Sequence, residues 1–164
     1  MIAEAPVLVA YDGSDLAKAG IREAARLLRQ HQVAIVVTVW EAQDLAGVAP
    51  VATPFVEKVT DDAERTAEEG ALLAEEHAFH ATPLVVKGAP TWDRIVAAAE
   101  EAEAEVIVLG SHGRSGLAYA ALGSVATAVA HHASCAVLIV NGAGAQSANG
   151  SDTDTSRAAD NEAS

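Results

Sequence analysis

The sequence predicts an α/β fold, a doubly wound five-stranded parallel sheet with helices on both faces. Two observations carry the prediction. Five short runs rich in Val, Ile and Leu alternate with four segments whose apolar residues recur at helical spacing. The runs are apolar almost throughout, as strands covered on both faces must be. Right-handed crossovers then leave few possible strand orders. If the chain reverses direction after its third strand, the first and fourth strands become central neighbours. Ligands in such sheets bind at the carboxyl ends of the strands beside that reversal.

The elements follow in order. PVLVA (6–10) is the first strand, and it stops at Tyr11-Asp12-Gly13-Ser14. From about Asp15 to Gln30, Ala17, Ile21, Ala24, Ala25 and Leu28 mark the inner face of a helix. Ser14 is placed to cap it, and Asp15 suits its dipole. VAIVVTVW (33–40) is the second strand, β-branched and apolar. Residues 41–56 hold Gly47, Pro50 and Pro54 without a period and read as a loop. The helix after it runs to about Phe79 and carries a solvated acidic face, from Asp61 to Glu76. His77 and His80 fall one turn apart on it with no third ligand, so they read as surface residues rather than a metal site.

PLVVKG (83–88) is the third strand. Pro90 begins a helix with Ile95, Val96 and Ala99 facing inward and an acidic end at Glu100, Glu101 and Glu103. VIVLG (106–110) is the fourth strand, Val125 to His131 a short helix, and AVLIV (136–140) the fifth strand. His131 and His132 lie where the helix dipole favours positive charge. With Cys135 they make a poor metal set, because no fourth ligand is offered. Trp40 ends the second strand and is placed to line a site there, whereas Trp92 reads as a packing residue. Residues 142–164 are mostly Gly, Ala, Ser, Asn, Asp and Thr. Such a composition predicts a disordered acidic tail beyond a single domain at 1–141.

Composition removes several function classes. The net charge is −13 and the basic residues are scattered, which argues against nucleic acid and anionic membranes as partners. No run approaches the length of a membrane span, and the acidic N-terminus does not read as a signal peptide. With one cysteine, Cys135, the expectation is a cytoplasmic protein. A small anionic ligand stays possible, since a local site of amide donors can outweigh a diffuse field.

The segment GSHGRSGLAYAALGSV (110–125) points to such a ligand. Glycine permits positive φ and lets a ligand approach without a Cβ in the way. A loop of such positions can aim successive N–H groups into one concavity, and Ser124 then opens a helix whose first N–H groups favour an anion. The loop thus reads as a phosphate cradle, with a plain glycine connection as the competing reading. A Walker A loop is excluded because no Lys follows these glycines. A dinucleotide fingerprint is excluded because the first strand is followed by YDGSD rather than GxGxxG. His112 lies within the cradle, where a titrating ring would suit a weak acid or pH sensor, although an outward-pointing loop residue is the preferred reading. No nucleophile is activated, so no catalytic residue is assigned.

The pattern G-x2-G-x9-G-[ST], as Gly110, Gly113, Gly123 and Ser124, resembles the nucleotide-binding signature of the universal stress protein family. VLVAYDGSD, VTVWEA, GAP at 88–90, SHGRSG and HHASCAVLIV extend the resemblance over residues 5–141. It implies the order 3-2-1-4-5, in the manner of adenine nucleotide alpha hydrolases, and ATP with Mg²⁺ as ligand. Asp12 would meet the ribose or adenine end, with Tyr11 and Gly13 shaping the turn, and Val39 would offer backbone bonds to adenine. Gly110, Gly113, Ser124 and Val125 would hold ribose and phosphates, with Arg114 and Ser115 adding donors; Ser111, His112, Gly116 and Gly123 complete the loop. Tyr11 departs from the small residue or proline often seen there, which bears on the width of the adenine pocket.

Two classes of function follow. One is a nucleotide-dependent stress or signalling module with slow or no hydrolysis, and the sequence favours it. The other is an enzyme, an ATP hydrolase or adenylyl-transferring protein, which would need an organised metal site and a water-positioning group. An AMP or cyclic AMP reader is a third reading on the same scaffold. Strand 136–140 is an apolar edge without Lys, Pro or a bulge. The resemblance implies that it pairs with its twin in a homodimer.

Overall fold

The structure, a computed structural model, describes residues 5–41, 53–113 and 122–142. Arg114, Ser115 and Gly116, and the tail beyond Gly142, lie outside them. The elements are β1 (Val7–Ala10), α1 (Asp15–Leu27), β2 (Val33–Trp40), α2 (Thr53–Glu76), β3 (His80–Lys87), α3 (Thr91–Glu101), β4 (Val106–Gly110), α4 (Ser124–His132) and β5 (Ala136–Val140). The strands form one parallel sheet in the order β3-β2-β1-β4-β5. The expected doubly wound fold and strand order are therefore those observed.

Alternation along the strands sorts the core into two layers. Val7, Val9, Val36, Val106 and Val108 face α1 and α2, against Ile21, Ala24, Ala71 and Ala74. Leu8, Val37, Ile107 and Leu109 face α3 and α4, against Ile95, Ala99, Ala126 and Val129. Alanine dominates the helix side of both layers, so the helices lie close to the sheet. β1 and β4 pair directly, with Val7 opposite Val106, and their carboxyl ends open side by side.

Several boundaries differ from expectation, each for a local reason. α2 stops at Glu76 rather than Phe79, because Ala78 turns left-handed at φ 64 and the Phe79 N–H returns to the Ala74 carbonyl at 3.1 Å. His77 and His80 therefore do not share a helix. His80 begins β3, where its ring lies 5.7 Å from that of His31. β3 starts earlier than expected and contains Pro83, opposite Val36. A proline is tolerated there because β3 is an edge strand of the sheet. α3 ends in the same manner as α2, with Glu103 at φ 51 and the Ala104 N–H on the Ala99 carbonyl at 2.9 Å.

Candidate functional site

A cavity of about 270 Å³ opens where the carboxyl ends of β1 and β4 meet the start of α4. That is at the low end of small-ligand sites. Tyr11, Asp12, Val39, Gly110, Ser111, His112, Gly113, Gly123, Ser124 and Val125 all line it, so the fold gathers most of the residues expected from sequence. Gly13 shapes the turn at φ 80 but does not line the wall. Trp40 is not part of the wall either. It is buried at the end of β2, with Lys87 Nζ 4.9 Å from its ring centre.

The turn after β1 is held from within. The Ser14 N–H donates to Asp12 Oδ1 at 3.0 Å, and Ser14 Oγ accepts from the Ala17 N–H at 3.2 Å, capping α1 as expected. Tyr11 is fixed by three separate bonds. Its N–H donates to the Val37 carbonyl and its own carbonyl accepts from Thr38 Oγ1, each at 2.9 Å, while its phenol donates to Glu69 Oε1, also at 2.9 Å. Its ring belongs to the α1 and α2 layer and packs on Gly70, so its bulk is taken up there rather than in the cavity. Burial, followed by the bond to Glu69, pushes the phenol pKa up. Lys18 Nζ, 2.9 Å from Glu69 Oε1, holds that carboxyl below its usual range, with the Tyr11 bond assisting.

Of the two roles expected for the loop glycines, positive φ and close approach, the described ones show the second. Among the described residues only Gly13 and Gly88 are glycines in that region. Gly110, Gly113 and Gly123 are not among them, and at each a Cβ would be crowded. A Cβ on Gly110 would stand 2.8 Å from Leu16 Cβ, and one on Gly113 2.8 Å from Asp12 Oδ2. One on Gly123 would be 3.0 Å from the Ser111 carbonyl oxygen. That carbonyl accepts from the Gly123 N–H at 2.8 Å, so the loop returns to the strand it left. The Ser111 N–H is bonded in turn to the Val140 carbonyl at 2.7 Å, which anchors the loop to β5.

Three helices begin around this opening, and they are capped differently. α1 has Ser14. At α3 the Thr91 N–H and Oγ1 donate to Glu41 Oε1 at 2.7 and 2.6 Å, so a carboxylate already occupies that end. α4 follows Gly123, which has no side chain to cap it, and among the described residues none takes its place. Its first residues, Ser124, Val125 and Ala126, line the cavity, and the first N–H groups of a helix have no partner within it. An anion in this cavity therefore finds its donors at α4. Glu41 and Thr91 escaped the sequence reading. Thr91, directly after Pro90 at a helix start, was the available signal.

His112 is one of the residues lining the cavity, with Nδ1 3.1 Å from the Ser111 hydroxyl. Trp92 packs as expected, stacked on His132 with ring centres 4.5 Å apart. Cys135 is a partly buried free thiol whose pKa is raised, mainly by burial. Among the described residues, no group of three His, Cys, Asp or Glu is placed to hold a metal, and no helix is long and apolar enough to cross a membrane.

The model of the universal stress protein family matches residues 5–141. The chain belongs to that family. Universal stress protein Rv1636 of Mycobacterium tuberculosis is 33% identical over 156 residues, covering 86% of this chain and 99% of the relative. Universal stress protein YxiE of Bacillus subtilis is 29% identical over 144 residues, covering 82% and 97%. Among solved structures, hypothetical protein MJ0577 superposes with a TM-score of 0.73 at 24% identity, covering 85% of this chain and 97% of that one. A universal stress protein in complex with cAMP superposes with a TM-score of 0.58 at 26% identity, covering 85% and 98%.

Proposed function

We propose that the cavity binds an adenine nucleotide, ATP with Mg²⁺, and that the chain is a nucleotide-dependent stress-response or signalling module. The observation that supports this most directly is the start of α4, uncapped among the described residues, beside a wall in which a Cβ at Gly113 would collide with Asp12. Such a wall admits phosphate oxygens to backbone N–H groups, and the dipole of α4 favours their charge. Asp12 is the group for the ribose or adenine end, and Val39 the backbone partner for adenine. Gly110, Gly113, Ser124 and Val125 take ribose and phosphates, and Arg114 and Ser115 add donors. Hydrolysis is slow or absent on this reading, because among the described residues Asp12 is the one carboxylate in the wall.

A second reading, AMP or cyclic AMP as the working ligand, is favoured by the cAMP complex of the 26% identical relative. Identifying the nucleotide released on denaturing the purified protein separates the two. ATP or ADP supports the first reading, AMP or cyclic AMP the second, and calorimetry without binding of any of them rejects both. The proposal places the protein in the cytoplasm as a homodimer paired through β5, an edge strand of the sheet. Light scattering that finds a monomer at micromolar concentration removes the dimer.

A further inference from the structure

We infer that the face of β3 turned away from α2 is a docking surface for a cationic amphipathic helix of another protein. This surface shares no lining residue with the cavity described above, so it stands apart from the nucleotide reading.

A parallel sheet is normally covered on both faces. Here α2 covers β3 on one side, while on the other side α3 packs chiefly on β2 and β1. Alternation along β3 turns Leu84 and Val86 to that second side, opposite Val37 and Val39 of β2. A groove of about 340 Å³ lies there. Its floor is Ile35, Leu84 and Val86, and its wall is the flank of α3 from Arg94 to Ala102. Leu84 is 37% exposed, unusual for a leucine on the inner strip of a doubly wound sheet. Ala97, Ala98 and Ala102 keep the flank low, so another backbone can come close. The flank is about 12 Å long, enough for roughly two turns of a second helix.

The two ends of the groove differ in charge. At one end the Arg94 stem crosses Gly88, where a Cβ would stand 2.9 Å from Arg94 Cδ, and the guanidinium is engaged by Asp93. At the other end Glu101 lines the groove, with Glu100 and Glu103 beside it in the chain. The last turn of α3 contains no basic residue. Among the described residues no cation pairs with these three carboxylates. The helix dipole adds its own negative end at the same place. A helix with leucine-like residues on one face and Lys or Arg beside them answers both features. Its apolar face covers Leu84 and Val86, and its cations offset Glu101 and the helix end.

Charge also removes the other occupants. A second copy brings the same carboxylates and a net charge of −13. Residues 143–164 supply four carboxylates against Arg157, with no apolar residue larger than alanine, and residues 42–52 contain no basic residue. Addition of a strand to this edge is blocked, because Pro83 offers no N–H and Lys87 guards the end of β3. The partner therefore lies on the face of the sheet rather than along its edge.

The test is fluorescence anisotropy with a labelled model helix of leucine and lysine whose leucines share one face. Two control peptides replace its lysines with glutamate or its leucines with serine. The wild type should bind the leucine–lysine helix with micromolar affinity and both controls at least tenfold more weakly. Leu84→Asp should weaken binding tenfold or more, as loss of a central apolar contact does. Ala97→Gln, at an exposed position where glutamine suits a helix, should weaken it severalfold by filling the groove. Glu101→Gln should cost about threefold, in line with an exposed ion pair, and Glu64→Gln on α2 nothing. Should Leu84→Asp not fold, the Ala97 and Glu101 variants decide. Equal binding of the serine–lysine peptide overturns the inference, because acidity alone then attracts the helix. So does absence of binding by the wild type, or a loss with Glu64→Gln as large as with Glu101→Gln. If Leu84→Asp changes the sedimentation of the protein alone, a second copy covers the groove and the proposed partner is wrong.

Discussion

Tyr11 and Asp12 are adjacent, yet they serve opposite sides of the sheet. The Tyr11 ring enters a packed layer under α2, where it meets Gly70; the Asp12 carboxylate lines an open wall, where it meets Gly113. Both glycines serve by lacking a Cβ, which would stand 2.7 Å from the Tyr11 ring at Gly70 and 2.8 Å from Asp12 Oδ2 at Gly113. The same device thus fills space on one side and keeps it open on the other. What differs is the neighbour. A ring wedged between α2 and β2 cannot move away, whereas a carboxylate at a cavity rim can.

That difference predicts opposite signatures for two valine substitutions. Gly70→Val forces a side chain into the Tyr11 ring and into Val36 Cγ1, which a Cβ would approach to 2.8 Å. Overpacking of this kind costs about 3 kcal/mol at the upper end of its usual range. The gain in helix propensity over glycine offsets only a few tenths of that. Chemical denaturation should show the loss, and unchanged stability would mean that the ring has another place to go. Gly113→Val should leave stability nearly unaltered while weakening ATP binding tenfold or more, about 1.4 kcal/mol. A folded Gly113→Val protein with wild-type affinity in calorimetry sinks the cradle assignment. One that is destabilised as much as Gly70→Val erases the contrast between the two sides.

Much of this arrangement was legible in the chain, and the illegible parts share a cause. The strands were readable because β-branched runs covered on both faces leave no polar period to confuse them, and Ser14 capped its helix as its type and place required. That Gly110, Gly113 and Gly123 gather at one cavity was readable from their spacing, although none of these three takes positive φ and a Cβ on each would be crowded. Helix ends were misplaced where Ala78 and Glu103, rather than glycine, take the left-handed position. Gly70 in mid-helix gave no hint of Tyr11, because that contact crosses the fold. Glu41 capping Thr91, 50 residues away, is of the same kind. Local pattern reports local energetics, and pairings over such distances appear only once the sheet has formed.

The smallest expected effect isolates the hydroxyl that ties Tyr11 to α2. Tyr11→Phe keeps the ring against Gly70 and removes the bond to Glu69, whose carboxylate still has Lys18 at 2.9 Å and lies half in solvent. Water can replace the lost donor there, so the cost at pH 7 should be about 0.5–1 kcal/mol. The phenol adds a pH signature of its own. Burial and Glu69 raise its pKa in the folded protein above the ordinary value of 10.0. Above that value the unfolded chain releases the phenolic proton while the folded chain keeps it, so the folded state binds more protons and stability falls as pH rises. The contribution is whole below pH 10 and is lost progressively above it. Tyr11→Phe should therefore flatten the alkaline limb of the stability profile, followed by urea denaturation from pH 8 to 11, and leave the limb between pH 6 and 8 parallel to the wild type. An alkaline limb equally steep in both proteins would show that the hydroxyl is solvated rather than clamped. The two sides of the sheet would then differ less than their packing suggests.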